Sequence, residues 1–426
     1  MLRILLRWSG VSLTMSLLLV GLTTPSRSAG TEHVLFRFNN LQKGGYPIGP
    51  VYGSGSYLYG SAFAGGTFGG GVVFRISGNG KEKILYNFRG DTDGWGPNSL
   101  LISDSDGNMF GTTQDGGMNG GCFSRGCGTV FRLSPDGTET VLHAFTAQSD
   151  GLVPFYGLVM DRKGNLFGTT IYGGSGDCQS EFVAGCGTVF EIAADGKESV
   201  LYSFTGGADG ATPYTGLVGD KTGNLYGTTS SGGATPCNDG AGCGTVFRLS
   251  PGGSLTTVYR FQGGSDGWNP SGGLVLDRSG NLYGATHWGG GNGCGGAGCG
   301  IVFKVSPDGI ETVVHAFAGG ADGANPSSGL TADNSRNLFG ATAQGGNSSN
   351  CNFDSIGCGT IFTVGPDGTE TVLYAFQGGR DGEAPYAIPT LKGGRIFGST
   401  QFGGRESQYC GTDTFSGCGT LFEIRQ

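Results

Sequence analysis

Charged residues are scarce: Asp, Glu, Lys and Arg make up 14% of 426 residues, where an average globular protein carries about 25%. The composition is not that of an ordinary α/β enzyme. Histidine is rarer still, four in all, and none accompanies a cysteine pair, so zinc finds no set of four ligands. No Gly-X-Y period runs through the chain, which excludes a collagen triple helix. Paired carboxylates, a metal triad and a Cys–His arrangement are all missing. The apolar run from Val11 to Leu22 falls short of the roughly 20 residues that a membrane helix needs. Glycine is abundant instead, with 90 copies, each costing about 1 kcal/mol inside a helix; helical bundles are therefore excluded. Bulk disorder is excluded too, since 37% of residues are hydrophobic and the many Phe and Tyr among them want burial. A turn-rich all-β protein remains.

Arg3, Arg7, the apolar run and Ser26-Arg27-Ser28 stand in the order of an export signal over residues 1–28; a retained anchor is the alternative. Removing it leaves 22 basic against 33 acidic residues, a net charge of −11. Nucleic acid and anionic membranes are poor partners for such a chain. The 12 cysteines fall into six local pairs, Cys122/Cys127, Cys178/Cys186, Cys237/Cys243, Cys294/Cys299, Cys351/Cys358 and Cys410/Cys418. An even count in an exported chain predicts disulfides, within each pair or, alternatively, between repeats. An extracellular or periplasmic monomer without cofactor or membrane span is expected.

Three phrases recur seven times. Gly-Thr-Val-Phe or a variant ends at Phe74, Phe131, Phe190, Phe247, Phe303, Phe362 and Phe422. Asn-Leu-Tyr-Gly-Thr-Thr and Thr-Val-Leu-Tyr-Ala-Phe recur in step with it, and Gly-Leu-Val-x-Asp completes a unit of four strand-like runs. Aromatic and β-branched residues alternate with small or polar ones, the period of strands. Ser134-Pro135-Asp136-Gly137 and Asp161-Arg162-Lys163-Gly164-Asn165 have the chemistry of tight hairpins. Four antiparallel strands per unit, without helices, predict a seven-bladed β-propeller over residues 29–426. The chain starts on the fourth phrase, Val34–Phe38, and stops on the third, Gly419–Ile424. The first strand should therefore complete the last blade and hide both sheet edges.

The joint pattern Gly-Leu-Val-x-Asp…Gly-Asn-Leu-Tyr-Gly-Thr-Thr…Gly-Gly…Cys-Gly-Thr-Val-Phe resembles the GloVer tandem repeat of secreted and surface-anchored bacterial proteins. The resemblance extends over residues 31–426, and the blade grammar is similar to that of NHL-type propellers. It implies no particular activity. The C-terminal sorting anchor that members often carry is not seen here.

Two loop types should share one face. One joins blade to blade and reads Phe-x-Gly-Gly-x-Asp-Gly-x-x-Pro; the other joins the second and third strands and carries the cysteines. Variable loops on a rigid scaffold are where binding usually lives. The repeated Asp93, Asp150, Asp209, Asp266, Asp322 and Asp381 offer either a set of Ca²⁺ ligands or carboxylates bonded to their own turns. The two residues before each Gly-Gly vary most, among them Tyr172, His287-Trp288 and Phe402. Trp268 lies in the loop leading into the blade of Trp288, and Trp95 holds the matching place earlier. These aromatics either stack on sugar rings or cover glycine-rich loops, and His287 is a ligand contact or a solvated loop residue. His143 and His315 lie in fourth-strand phrases and read as structural. Gly291-x-Gly293-x-x-Gly296 precedes no helix, and Gly263-x-Ser265-x-Gly267 loses its Ser in other copies, so neither carries the chemistry of its motif. No residue is singled out as catalytic. The sequence favours a binding module for glycans or surface proteins over a lactonase-like or polysaccharide-lyase propeller enzyme, and over a structural matrix or envelope component.

Overall fold

A computed structural model describes residues 30–425 except 53–56, 118–121, 123–124, 148, 179–183, 234–236, 238–239, 352–355, 405–409 and 411–416. The expected export signal lies outside them. The described residues form seven antiparallel sheets, each of four radial strands. Blade five shows the pattern: an inner strand Trp268–Leu276, then Leu282–Trp288, Ile301–Val305 and an outer strand Glu311–Ala316. Inner strands of blades one to four and six to seven begin at Gly45, Trp95, Leu152, Val218, Ala324 and Thr390. Thr31–Arg37 pairs with Thr420–Arg425, with Val34 opposite Phe422, so the first strand is the outer strand of blade seven. The ring is clasped as the repeat phase requires.

Local chemistry makes each blade. At Ser134-Pro135-Asp136-Gly137 the Gly137 amide donates to Ser134 O at 2.9 Å, closing the outer hairpin. At the inner hairpin, Asp161 Oδ1 accepts from the amides of Lys163 and Asn165, an Asx turn of the kind Asp favours. Between blades the core is a ring of edge-to-face phenylalanines. Phe38–Phe74, Phe88–Phe131, Phe145–Phe190, Phe204–Phe247, Phe261–Phe303, Phe317–Phe362 and Phe376–Phe422 have centroids 5.1–5.3 Å apart. Each pair joins an outer strand to the third strand of the next blade, contributing roughly 0.5–1.5 kcal/mol beyond its area. The glycine of Leu-Tyr-Gly-Thr-Thr leaves room for the second ring: a Cβ on Gly284 would lie 2.5 Å from Phe303 Cζ.

All six expected cysteine pairs are bridged, with Cα–Cα distances of 5.0–5.2 Å, which fits an oxidising compartment. Replacing one bridge, Cys294→Ser with Cys299→Ser, is expected to cost about 2 kcal/mol in the chain-entropy account of so short a loop. Urea denaturation of the variant beside the oxidised parent measures it; equal midpoints would assign the bridge no share in stability.

Candidate functional site

The segment Asp-Gly-x-x-Pro, which reads as a loop in sequence, is already strand. Trp95 opens the strand Trp95–Pro97 and Trp268 opens Trp268–Leu276, a correction to the loop placement of both tryptophans. Proline fits because the inner strand faces the channel and its ladder needs no donor there. The residue before each proline is left-handed in all seven blades: Tyr46, Gly96, Val153, Thr212, Asn269, Asn325 and Ala384, with φ of 51–65°. For side chains other than Gly such a conformation costs about 1–3 kcal/mol, so something must hold it. The holder is the previous blade. The amides of Val153, Thr212, Asn269, Asn325, Ala384 and Tyr46 donate to the carbonyls of Cys127, Cys186, Cys243, Cys299, Cys358 and Cys418 at 2.8–3.0 Å. The following proline closes over the glycine of Cys-Gly-Thr-Val-Phe; a Cβ on Gly128 would lie 2.5 Å from Pro154 Cδ. Each disulfide thus pins the acceptor that kinks the next inner strand.

The kink turns the residues after proline into the channel, where they enclose a cavity of about 460 Å³. Phe155 and Tyr214 stack at 4.3 Å and 27° on one wall. Tyr156 spans the ring, its hydroxyl donating to Ser327 O at 3.0 Å, and burial raises its pKa far above the ordinary phenol value. Leu100 Cδ2 packs against Gly49 and Ile388 Cδ1 against Gly273 and Gly329, so two aliphatic side chains also line the cavity. Around the mouth stand Phe63, Gln114, Asn269, His287 and Gln401, with Asn98 further along its inner strand. Among the described lining residues there is no Asp, Glu, Lys or Arg. Burial lowers the His287 pKa to about 4, so its imidazole is neutral at physiological pH.

Of the residues singled out in the sequence, the structure brings three together. Trp268 faces Trp288 across the inner strand pair, the indoles lying 5.9 Å apart at 21°, and His287 meets Trp288 at 4.8 Å. Trp95 belongs to another group, edge-on to Phe63 at 5.0 Å and under the Arg125 guanidinium at 4.4 Å. Tyr172 pairs with Leu152 and lies close enough to Tyr214 to add to the rise in pKa that burial and Tyr386 give that phenol. Phe402 is buried, 8% exposed, against Tyr46 at 5.7 Å. The cavity residues after proline were not singled out, although comparing that position across repeats, Ile48, Asn98, Phe155, Tyr214, Ser271, Ser327 and Tyr386, marks it as variable within constant strands.

The model of the Gloeobacter/Verrucomicrobia repeat matches residues 22–240 and 176–412. The chain belongs to the Gloeobacter/Verrucomicrobia repeat family. No curated protein matches it in sequence. Among solved structures, this family member is similar to a gluconolactonase from Xanthomonas campestris, at 16% identity and TM-score 0.42 over 73% of this chain and 86% of that one. It is also similar to a luciferin-regenerating enzyme, at 11% identity and TM-score 0.45 over 93% and 95%. A third likeness is to the PQQ-bound aldose sugar dehydrogenase of Streptomyces coelicolor, at 12% identity and TM-score 0.46 over 78% and 96%. No activity passes from them to this chain. Among the described residues no helix is long and apolar enough to cross a membrane.

The repeated aspartates of this family member sit at the blade joints, away from the cavity lining. Each carboxylate accepts from a backbone amide four residues earlier and, through the outer strand, from a tyrosine or histidine: Tyr86 on Asp93, His143 on Asp150, Tyr202 on Asp209, Tyr259 on Asp266, His315 on Asp322, Tyr374 on Asp381. His143 and His315 therefore stand where other blades have tyrosine. At the seventh joint both partners change: Phe36 and Lys43 take their places, the ammonium 5.8 Å from the ring. The next outer strand supplies a glutamate to each joint but one. Glu32, Glu82, Glu139, Glu198, Glu311 and Glu370 each bury an unpartnered carboxyl oxygen, and Leu255 fills that place in blade four. His315, Asp322 and Glu370 bring one ligand atom each within 4.8 Å of one another, the joint best able to hold a metal ion.

Proposed function

We propose that this protein is an exported binding module whose ligand, a glycan or a surface protein, is held on the face that carries the channel mouth. The observation that supports it most is the near-parallel Trp268–Trp288 pair beside neutral His287 at the rim of an uncharged cavity. Indole faces offer flat apolar area with a hydrogen-bonding edge, which suits the C–H face of a sugar ring. Trp95, Tyr172 and the buried Phe402 contribute to the same face in different blades, the first two by contact and the third by supporting Tyr46. The disulfides hold the variable loops that border it.

A glycan array probed with the parent and with Trp268→Ala/Trp288→Ala tests the reading. The parent is expected to bind a restricted set of glycans, and the double variant to lose at least tenfold in affinity while melting within a few degrees of the parent. No binding by the parent to any glycan would remove glycans and leave surface proteins as the ligand class.

A further inference from the structure

We propose that the central cavity is a cup that receives one uncharged pyranose ring; this deepens the binding-module reading and rests on it. Its volume of about 460 Å³ lies in the ~300–1,000 Å³ range of small-molecule sites. Leu100 and Ile388 add aliphatic lining, and the Tyr156 hydroxyl strut to Ser327 O holds opposite blades at fixed distance. A ring entering from the mouth meets the stacked Phe155–Tyr214 wall, while the amides of Asn98, Gln114, Asn269 and Gln401 converge from the remaining sides. None of these four amides, nor the His287 imidazole, hydrogen-bonds through its side chain to a described protein group. Five polar side chains thus point at one space with donors and acceptors unspent, the arrangement of a site that awaits hydroxyl groups.

The walls also select against charge. A carboxylate or ammonium brought into the cup would lose its hydration and find no counter-ion among the described lining residues, and His287, held neutral by burial, supplies none above about pH 5. A neutral sugar loses little, because amides replace water at its hydroxyls and the aromatic wall covers its C–H face. The shared chemistry is that of a free hexose or of the hexose at a chain end.

Saturation-transfer NMR on the full-length exported protein tests this with D-glucose, D-galactose and D-mannose, the corresponding uronic acids, and hexose-terminated oligosaccharides as separate arms. At least one neutral hexose is expected to bind ten or more times tighter than its uronic acid. Signal in the oligosaccharide arm as well assigns the cup to a chain end, and signal with free hexose alone to a free sugar. Gln401→Trp, which fills the mouth, is expected to abolish binding, whereas Ile310→Ala, at an exposed outer hairpin, leaves binding and the preference for the neutral sugar unchanged. Circular dichroism and melting confirm that both variants fold. Equal binding of a uronic acid, or hexose binding undiminished in Gln401→Trp, overturns the cup. Array binding without any monosaccharide or chain-end signal overturns it too, and leaves the rim reading standing.

Discussion

The protein is expected to melt about 5 °C higher at pH 5 than at pH 8, the reverse of ordinary acid destabilisation. The cause lies at the blade joints. Burial, with the nearby Asp93, Asp266 and Asp322 adding to it, pushes Glu139, Glu311 and Glu370 up to about 7, His315 opposing the shift at Glu370. Burial and Asp381 push Glu32 up to about 8 against the pull of Arg37. Glu82 rises to about 7 by burial although Lys43 opposes it, and burial raises Glu198. In the unfolded chain all six release their protons near the ordinary 4.5. Between about pH 4.5 and 7 the unfolded state therefore binds fewer protons than the folded one, and stability falls as pH rises through that window. These carboxyls are partly solvated, so each pair is worth of order 1 kcal/mol after screening, and the set about 3–5 kcal/mol. Below pH 4 the trend turns: Asp150 and Asp322, held below the ordinary value by their hydrogen bonds, and Asp220, held at about 2, withdraw stability as they protonate. Calorimetry from pH 4 to 9 measures the curve. The triple variant Glu139→Gln/Glu311→Gln/Glu370→Gln makes three of the six sites neutral at every pH and is expected to lose about half the slope. A melting temperature that drops between pH 8 and 5 in the parent would show that the joint glutamates do not hold their protons above the ordinary range.

Phe303→Ala is expected to cost about 3–5 kcal/mol, the range for deleting a buried ring. Phe303 is fully buried, edge-on to Phe261 at 5.1 Å and directly over Gly284. Gly284→Ala alone is expected to cost about 1–3 kcal/mol by overpacking, because its methyl has no space while the ring is present. With the ring gone the same methyl enters the vacated volume. The double variant should therefore be more stable than the sum of the single costs by about 1 kcal/mol or more. Urea midpoints of the four proteins give the coupling; simple additivity would mean that the ring does not rest on that glycine.

Much of the architecture was readable because the repeat is written in glycine and phenylalanine. Phe303 and Gly284 keep their places in every unit, and the offset of Val34–Phe38 against Gly419–Ile424 announces the clasp. Short cysteine spacing was enough to pair the cysteines. The site was less readable for physical reasons. Gly-x-x-Pro has the composition of a turn, and only a carbonyl of the preceding blade, a cysteine's in six joints and that of Gly70 in the other, turns it into a kinked strand. Three tryptophans could be placed on one face, but the angular position of each blade separates Trp95 from Trp268 and Trp288. The joint glutamates look like solvated residues at a strand start; their burial depends on the neighbouring blade, which no single repeat contains.

Thr31–Arg37 has its sheet partner, Thr420–Arg425, at the other end of the chain. During synthesis, at ~5–20 residues per second, this first strand must wait tens of seconds for its partner strand. Glu32 and Arg37 punctuate it with charge through that interval, and charged edges resist pairing with the wrong strand. The same side chains that tune the last joint of the finished ring thus also discourage mispairing while the chain is incomplete.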